Sequence, residues 1–503
     1  MDFVVHQYLS VPYTEPPIAE LRFKKPVPRL FYPKVLHAIN IPPACHQYSE
    51  NPYPWYINSP IKSEDCLYLN IWTPASASPE NPKAVMYWIH GGGYRYGSIQ
   101  SELYTGVPLA ALGDIIVVTV NYRLGPFGFL TSGTEDAPGN AGIWDLLEGL
   151  KWVNRNIEFF GGDPQRVTLA GESAGSIAVG LLAVSPLARG LFRRQIMQSG
   201  APTHLRAENN TQNIALSQQL SKTVGCASDE FTIQDNPEAV VKCLKKIDPI
   251  ELSKADFLLN THSTSDFIPQ FGDAILPVNP RTAVLNGQFQ CSELLIGNNQ
   301  DETSFYITTG DPNTFGFFGE KDVQINKTTA ASIIQKYFSD FPDTEAVIQH
   351  YLPDYIPEEA YDFVRYQAYT SLGDMTLICP DVYYAEKCAE KGSKVFFYFW
   401  THRSSTTPWA PWMGVVHFSE LDFLFGQPLL NPENYPEGEQ KISRQMIKIW
   451  SNFVKAGKPG MPWPFYSSEN PSFNFLGSGI LTENIAQGPH KNNCEFFRPF
   501  FYS

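Results

Sequence analysis

Two short glycine-rich patterns hold residue types that could perform one kind of chemistry. Gly171-Glu172-Ser173-Ala174-Gly175 sets a serine among small residues, after an apolar run at 167–170 and before a helix-like stretch from Ile177 to Val184. A tight strand–turn–helix junction needs such small neighbours and lifts the hydroxyl clear of a sheet, so Ser173 reads as a nucleophile. A serine hydroxyl is weak by itself and requires a base and donors for a developing oxyanion. His90-Gly91-Gly92-Gly93 supplies the second need, because the N–H groups of Gly92 and Gly93 can approach a substrate oxygen with no Cβ in the way. Ala174, next after the serine, would add another N–H. Either pattern alone also fits a plain Gly-rich turn. No Gly-Lys-Ser/Thr follows His90, which weakens a phosphate loop. Together, and in this order, they point to acyl transfer.

The elements that must position these groups are legible in outline. Residues 84–90, 115–120 and 167–170 read as buried strands, continuous and β-rich, as in a sheet covered on both faces. Asn140 to Asn156 carries Ile143, Leu146, Leu147, Leu150, Val153 and Ile157 at helical spacing. Strand, helix, strand favours a mostly parallel sheet. It resumes near 293–297 and 394–399, a further helix runs from about Ser443 to Lys455, and 203–290 and 307–390 read as helical insertions. With no repeat or long linker, 1–503 reads as one elaborated α/β domain.

Composition narrows the function classes. The 503 residues include 37 basic and 51 acidic side chains, a net charge of −14, with 43% hydrophobic and 17% charged residues. That supports a large core and argues against disorder. The acidic balance excludes a nucleic-acid partner, which would need clustered Lys and Arg. The longest apolar run, 115–120, is of strand length, far below the ~18 residues of a helical membrane span. The amino end shows no basic flank followed by an apolar stretch, as a signal peptide would. The eight cysteines lack the paired short spacings of zinc sites, so no metal is expected. Asn209-Asn210-Thr211 and Asn326-Lys327-Thr328 are glycosylation acceptors by pattern.

Longer motifs carry a resemblance to a family. Residues 160–175, Phe-Gly-Gly-Asp-Pro-Gln-Arg-Val-Thr-Leu-Ala-Gly-Glu-Ser-Ala-Gly, and 64–74, Glu-Asp-Cys-Leu-Tyr-Leu-Asn-Ile-Trp-Thr-Pro, are similar to the two signatures of the type-B carboxylesterases and cholinesterases. Asn121-Tyr122-Arg123-Leu124-Gly125-Pro126-Phe127-Gly128 is a third such stretch. The resemblance implies an α/β-hydrolase fold: a mostly parallel sheet covered by helices on both faces, with helical insertions forming a gorge. It picks Glu302 and His417 as the partners of Ser173, although Thr303 stands where the family usually has Gly. In the implied triad His417 is the base and Glu302 steadies it, with no metal or organic cofactor. Activity should then fall as His417 protonates, near the ordinary value of about 6.5.

The resemblance also implies disulfides Cys45–Cys66, Cys226–Cys243 and Cys379–Cys494; for the remaining Cys291 and Cys388, buried free thiols are the preferred reading and a fourth bridge the alternative. Disulfides place the protein in an oxidising, extracellular compartment. Arg22 with Glu64, and Arg123 with Asp145, look like the family's structural ion pairs. There is almost no room before Val11-Pro12-Tyr13 for the family's amino-terminal strand pair, so a chain lacking that hairpin is expected. A homodimer contact through 443–455 rests on resemblance alone.

The ester is less defined. In acetylcholinesterases a Trp ten residues before the cysteine of the Ser-Glu-Asp-Cys stretch grips choline; here that position is Tyr56, with Trp55 one further back. Glu172 and Phe305 fit other choline-site positions. Ser263 and Ser265 stand where two Phe side chains narrow the acetyl pocket, implying a wider one, and Arg95 at the gorge rim would repel a cation. A broad carboxylesterase is the preferred reading. Choline-ester hydrolysis is the alternative, followed by an adhesion or ligand-sequestering relative.

Overall fold

The computed structural model describes residues 4–32, 34–57, 61–204, 211–261, 266–477 and 485–502. Its centre is a ten-stranded sheet. In chain order the strands are β1 (Val5–Pro12), β2 (Tyr68–Pro74), β3 (Lys83–Ile89), β4 (Ile116–Val120), β5 (Gly162–Glu172), β6 (Arg194–Gln198), β7 (Glu293–Asn299), β8 (Lys394–Trp400), β9 (Ser472–Leu476) and β10 (Ile485–Gln487). They lie side by side as β1-β2-β4-β3-β5-β6-β7-β8-β9-β10. The run from β4 to β9 is parallel, and antiparallel pairing is confined to the two margins, at β1/β2, β2/β4 and β9/β10.

The uninterrupted apolar character of the central strands follows from cover on both faces. Side chains alternate along β3: Val85, Tyr87 and Ile89 enter one core, Ala84, Met86 and Trp88 the other. The first core is closed by α1 (Ala141–Asn156), α2 (Ala174–Val184) and α5 (Cys379–Glu390), the last preceded by α3 (Ser304–Gly310) and α4 (Tyr361–Gly373). The second is closed by α6 (Glu437–Ala456) through Ile442, Met446, Ile447, Trp450, Phe453 and Val454.

Several boundaries differ from the sequence reading for identifiable reasons. β5 starts at Gly162, not 167, because Gly162 already pairs with Lys83 of β3, after which the register shifts and pairing resumes at Val167. α6 starts six residues early, where Glu437 and Glu439 follow Pro436 and favour the positive end of the helix. It stops at Gly457, which takes the left-handed conformation at φ 67°. Since the apolar side of α6 is spent inside, its outward positions include Lys441, Arg444 and Lys448. The insertions are helical as expected, with Thr211–Thr223, Pro237–Leu244 and Pro249–Thr261 in the first. Among the described residues no helix is long and apolar enough to cross a membrane.

Cys45–Cys66, Cys226–Cys243 and Cys379–Cys494 are disulfides, as the resemblance implied. The expectation for Cys291 and Cys388 is corrected: they form a fourth bridge. α5 carries Cys388 back to the start of β7, just after Cys291, with Cα atoms 5.8 Å apart across 97 residues of sequence. Arg22 binds both oxygens of Glu64 at 2.5 and 2.6 Å, and Arg123 both oxygens of Asp145 at 2.8 and 2.7 Å.

Candidate active site

Ser173 lies directly between the end of β5 and the start of α2, with φ 56° and ψ −125°. A non-glycine residue there costs about 1–3 kcal/mol, and it persists only if its surroundings enforce it. The flanking glycines show how. A Cβ on Gly171 would sit 2.5 Å from the Gly175 carbonyl, and one on Gly175 would sit 2.1 Å from the Ile89 oxygen. The turn can therefore be this tight only with glycine at both places. Ala174 opens α2, and the first N–H groups of a helix have no intrahelical acceptor.

The facing loop follows β3. Gly92 and Gly93 have φ of 106° and 63°, conformations that glycine adopts without strain. A Cβ on Gly92 would collide with the Tyr96 carbonyl at 2.2 Å, whereas the space beside Gly93 is open. His90 anchors this loop. Its ring stacks on Tyr122 at 4.6 Å and its Nδ1 lies 2.9 Å from the Gly91 oxygen. Burial pushes it down to about 4, so it stays neutral and structural.

Glu302 and His417 meet as the resemblance implied. His417 Nδ1 donates to Glu302 Oε2 at 2.6 Å, and both side chains are buried. Glu302 Oε1 also accepts from the Asn299 N–H at 2.7 Å and from the Ser199 hydroxyl. Thr303, the departure from the family pattern, has φ −107° and needs no glycine there. Its hydroxyl donates to the Tyr369 carbonyl, tying the turn after Glu302 to α4. His417 Nε2 lies 3.0 Å from Glu172 Oε1. Burial opposes the imidazolium, but Glu172 and then Glu302 outweigh it and raise His417 above its ordinary value. Burial likewise raises Glu172. This corrects the expected titration near 6.5, which took no account of two carboxylates against one ring.

These groups share one cavity of about 230 Å³, walled by Gly91, Gly92, Gly93, Glu172, Ser173, Phe305 and His417. Tyr53, Tyr96, Tyr104, Tyr306 and Phe418 complete its aromatic lining and were missed in the sequence. Tyr306 had a usable signal, one residue beyond Phe305 in the helix that follows Glu302. Tyr56 is not on the wall: its hydroxyl accepts from the Ser49 N–H at 2.9 Å and from Lys62 Nζ at 2.8 Å. The Lys62 ammonium sits 4.3 Å from the Tyr56 ring centroid, so this ring already holds a cation of the protein itself. Arg95 does line the cavity, but Asp266 at 3.0 Å and Asp256 at 3.8 Å match its charge, so the expected repulsion of cations is cancelled. Asn326 caps the helix Lys327–Tyr337 by accepting from the Thr329 N–H through Oδ1. The Trp55 side chain, Ser263, Ser265 and Asn209 lie outside the described residues.

Comparison with known proteins agrees with this geometry. The profile of the Carboxylesterase family matches residues 2–497. The chain is 40% identical to "Acetylcholinesterase-1" of Trittame loki, the match covering 99% of this chain and 91% of that protein. It is 35% identical to "Cholinesterase" of Mus musculus and 34% to "Acetylcholinesterase" of Bungarus fasciatus, each over 99% of this chain and 83% of the relative. A serine turn, a glycine loop and a buried Glu–His pair, set on this sheet and matched end to end, make the chain a member of the Carboxylesterase family of carboxylic ester hydrolases.

Proposed function

We propose that this protein is a serine carboxylesterase of broad acyl range, working through an acyl-enzyme held on Ser173, with residues 1–503 as one catalytic domain. The observation that carries the reading is the buried 2.6 Å bond from His417 to Glu302 on the cavity that contains Ser173. In this reading His417 takes the Ser173 proton as the hydroxyl attacks the ester carbonyl, and Glu302 supports the imidazolium. The N–H groups of Gly92, Gly93 and Ala174 receive the oxyanion. His417 then protonates the leaving alkoxide, and water releases the acid by the same steps in reverse roles. Four disulfides support secretion.

Choline esters are a second reading, favoured by the names of the relatives and by Glu172 within an aromatic-lined cavity. Against it stands the Lys62 ammonium on the Tyr56 face. Steady-state hydrolysis of p-nitrophenyl esters of rising acyl length, beside acetylthiocholine and butyrylthiocholine, separates the two. Neutral-ester turnover that is flat or rising with acyl length, and abolished by Ser173→Ala, is the expected result. Strong preference for acetylthiocholine would establish the second reading. No turnover by folded protein would leave a ligand-binding or adhesion relative.

A further inference from the structure

One short segment collects much of the apolar surface that this protein leaves in water. Seven of the twenty-five exposed large hydrophobic residues among the described residues fall between Val27 and Ile41, a density that singly scattered surface residues do not reach. Leu30, Phe31, Val35, Ile39 and Ile41 are 56–85% exposed. Positive charge gathers in the same place. From residue 21 to residue 49 the chain carries Arg22, Lys24, Lys25, Arg29 and Lys34 and no Asp or Glu, although its net charge is −14. Arg22 pairs with Glu64, Lys24 with Asp136 and Lys25 with Glu135. Arg29 rests on the Tyr32 ring at 5.6 Å, and neither it nor the exposed Lys34 forms an ion pair among the described residues.

The fold fixes where this segment stands. The Arg29 N–H donates to the Tyr13 oxygen at 3.2 Å, and the Ala38 oxygen accepts from the Leu9 N–H at 2.8 Å. Between them the Tyr32 hydroxyl donates to the Pro12 oxygen at 2.6 Å and accepts from Trp152 Nε1 at 2.8 Å. Tyr32 thus turns inward while Leu30, Phe31 and Val35 face water. Pro12 pairs with Tyr68, and the row Leu69, Val120, Ile89 and Gly171 crosses the sheet beside it. The segment therefore lies at the end of the sheet that carries Ser173.

Its occupant must take apolar side chains and cations together. A two-fold contact with a second copy is isologous and would set the same cations against each other. A bilayer with anionic headgroups meets both demands: its interfacial layer accepts apolar side chains to a depth of about 5–10 Å, and its phosphates attract Lys and Arg. The overall negative charge of the protein is screened beyond about 10 Å in about 0.1 M salt, so the cations on the segment set the local field. We propose that Leu30, Phe31, Lys34, Val35 and Ile39 dock this protein on anionic lipid surfaces. The inference goes beyond the esterase reading and does not depend on it.

Co-sedimentation with vesicles tests it, using phosphatidylcholine alone and a mixture of two parts phosphatidylcholine to one part phosphatidylglycerol. The wild type should pellet with the mixed vesicles, and a Phe31→Ser, Val35→Ser double variant should partition about tenfold less or weaker still. Lys34→Gln should lose about fivefold on the mixed vesicles and nothing on phosphatidylcholine. Both variants change exposed side chains, and unaltered thermal melting shows that they fold. A wild type that stays in solution with the mixed vesicles overturns the proposal without any variant. Pelleting that both variants retain in full also overturns it. So does a wild-type dimer in sedimentation velocity that the double variant dissolves, with no binding to either vesicle, since the face would then be covered by a second copy.

Discussion

Glu172→Gln isolates the electrostatic core of the site. Glu172 Oε1 stands 3.0 Å from His417 Nε2, and both groups are buried. At that distance two unit charges interact by about 5.5 kcal/mol at an effective dielectric of ~20, and about 1.4 kcal/mol at that of water. At 1.36 kcal/mol per pKa unit these bracket a displacement of about 1–4 units. Burial raises Glu172 itself, so it is only partly ionised near neutrality, which draws the expected displacement to about 1–2 units. The sign is downward, because removing an anion disfavours the imidazolium while neutral imidazole is the competent base. The wild-type acid limb of kcat/KM for p-nitrophenyl butyrate, read at the nitrophenol isosbestic wavelength, should lie above about 6.5. In Glu172→Gln it should move down, so the variant keeps a larger fraction of its own plateau at mildly acid pH. An unmoved midpoint, or an upward one, would refute the coupling.

Other perturbations have equally definite outcomes. Gly175→Ala drives a Cβ to 2.1 Å from the Ile89 oxygen, backbone against backbone, and should cost more than about 3 kcal/mol in urea unfolding or prevent folding. Replacing Cys291 and Cys388 together with Ala opens a 97-residue loop and should lower stability by about 2–4 kcal/mol, with kcat/KM little changed. Asp145→Ala leaves the buried Arg123 guanidinium without its carboxylate and should destabilise by about 3–5 kcal/mol in the same measurement. Burial opposes protonation of His490, but Asp374 at 2.5 Å outweighs it and raises the folded-state pKa. That contribution to stability is complete below about 6.5 and fades as pH rises through the raised value. Melting temperature against pH should show this alkaline decline in the wild type and lose it in His490→Gln.

The parts of this protein that were legible in the sequence are those in which one residue type answers one geometric demand. Gly171 and Gly175 were readable because only glycine fits beside those carbonyls, and the central strands because double burial leaves few polar positions. Glu302 and His417 carried no such local signature. They stand 115 residues apart, and only the resemblance singled them out from other acids and histidines. Cys291 and Cys388 were misread because nothing near either residue shows that α5 returns the second to the first. The proton affinity of His417 was misjudged for a related reason: the serine motif displays Glu172, but not that its carboxylate turns toward the imidazole. Tyr306 shows the complementary case, where a residue beside a recognised one was passed over because an aromatic next to a pocket is usually only lining.

The four disulfides decide what a single protease cut does to the chain. The loops 291–388 and 379–494 overlap, so every peptide bond from 291 to 494 lies inside at least one covalent ring. A single cut in that stretch, which holds both Glu302 and His417, leaves the two pieces joined. Between Cys66 and Cys226, where Ser173 lies, no bridge spans the chain, and one cut there divides it in two. Nicked enzyme on a non-reducing gel should therefore sort its scars by half: intact mobility for damage on the side of the base, separated fragments for damage on the side of the nucleophile.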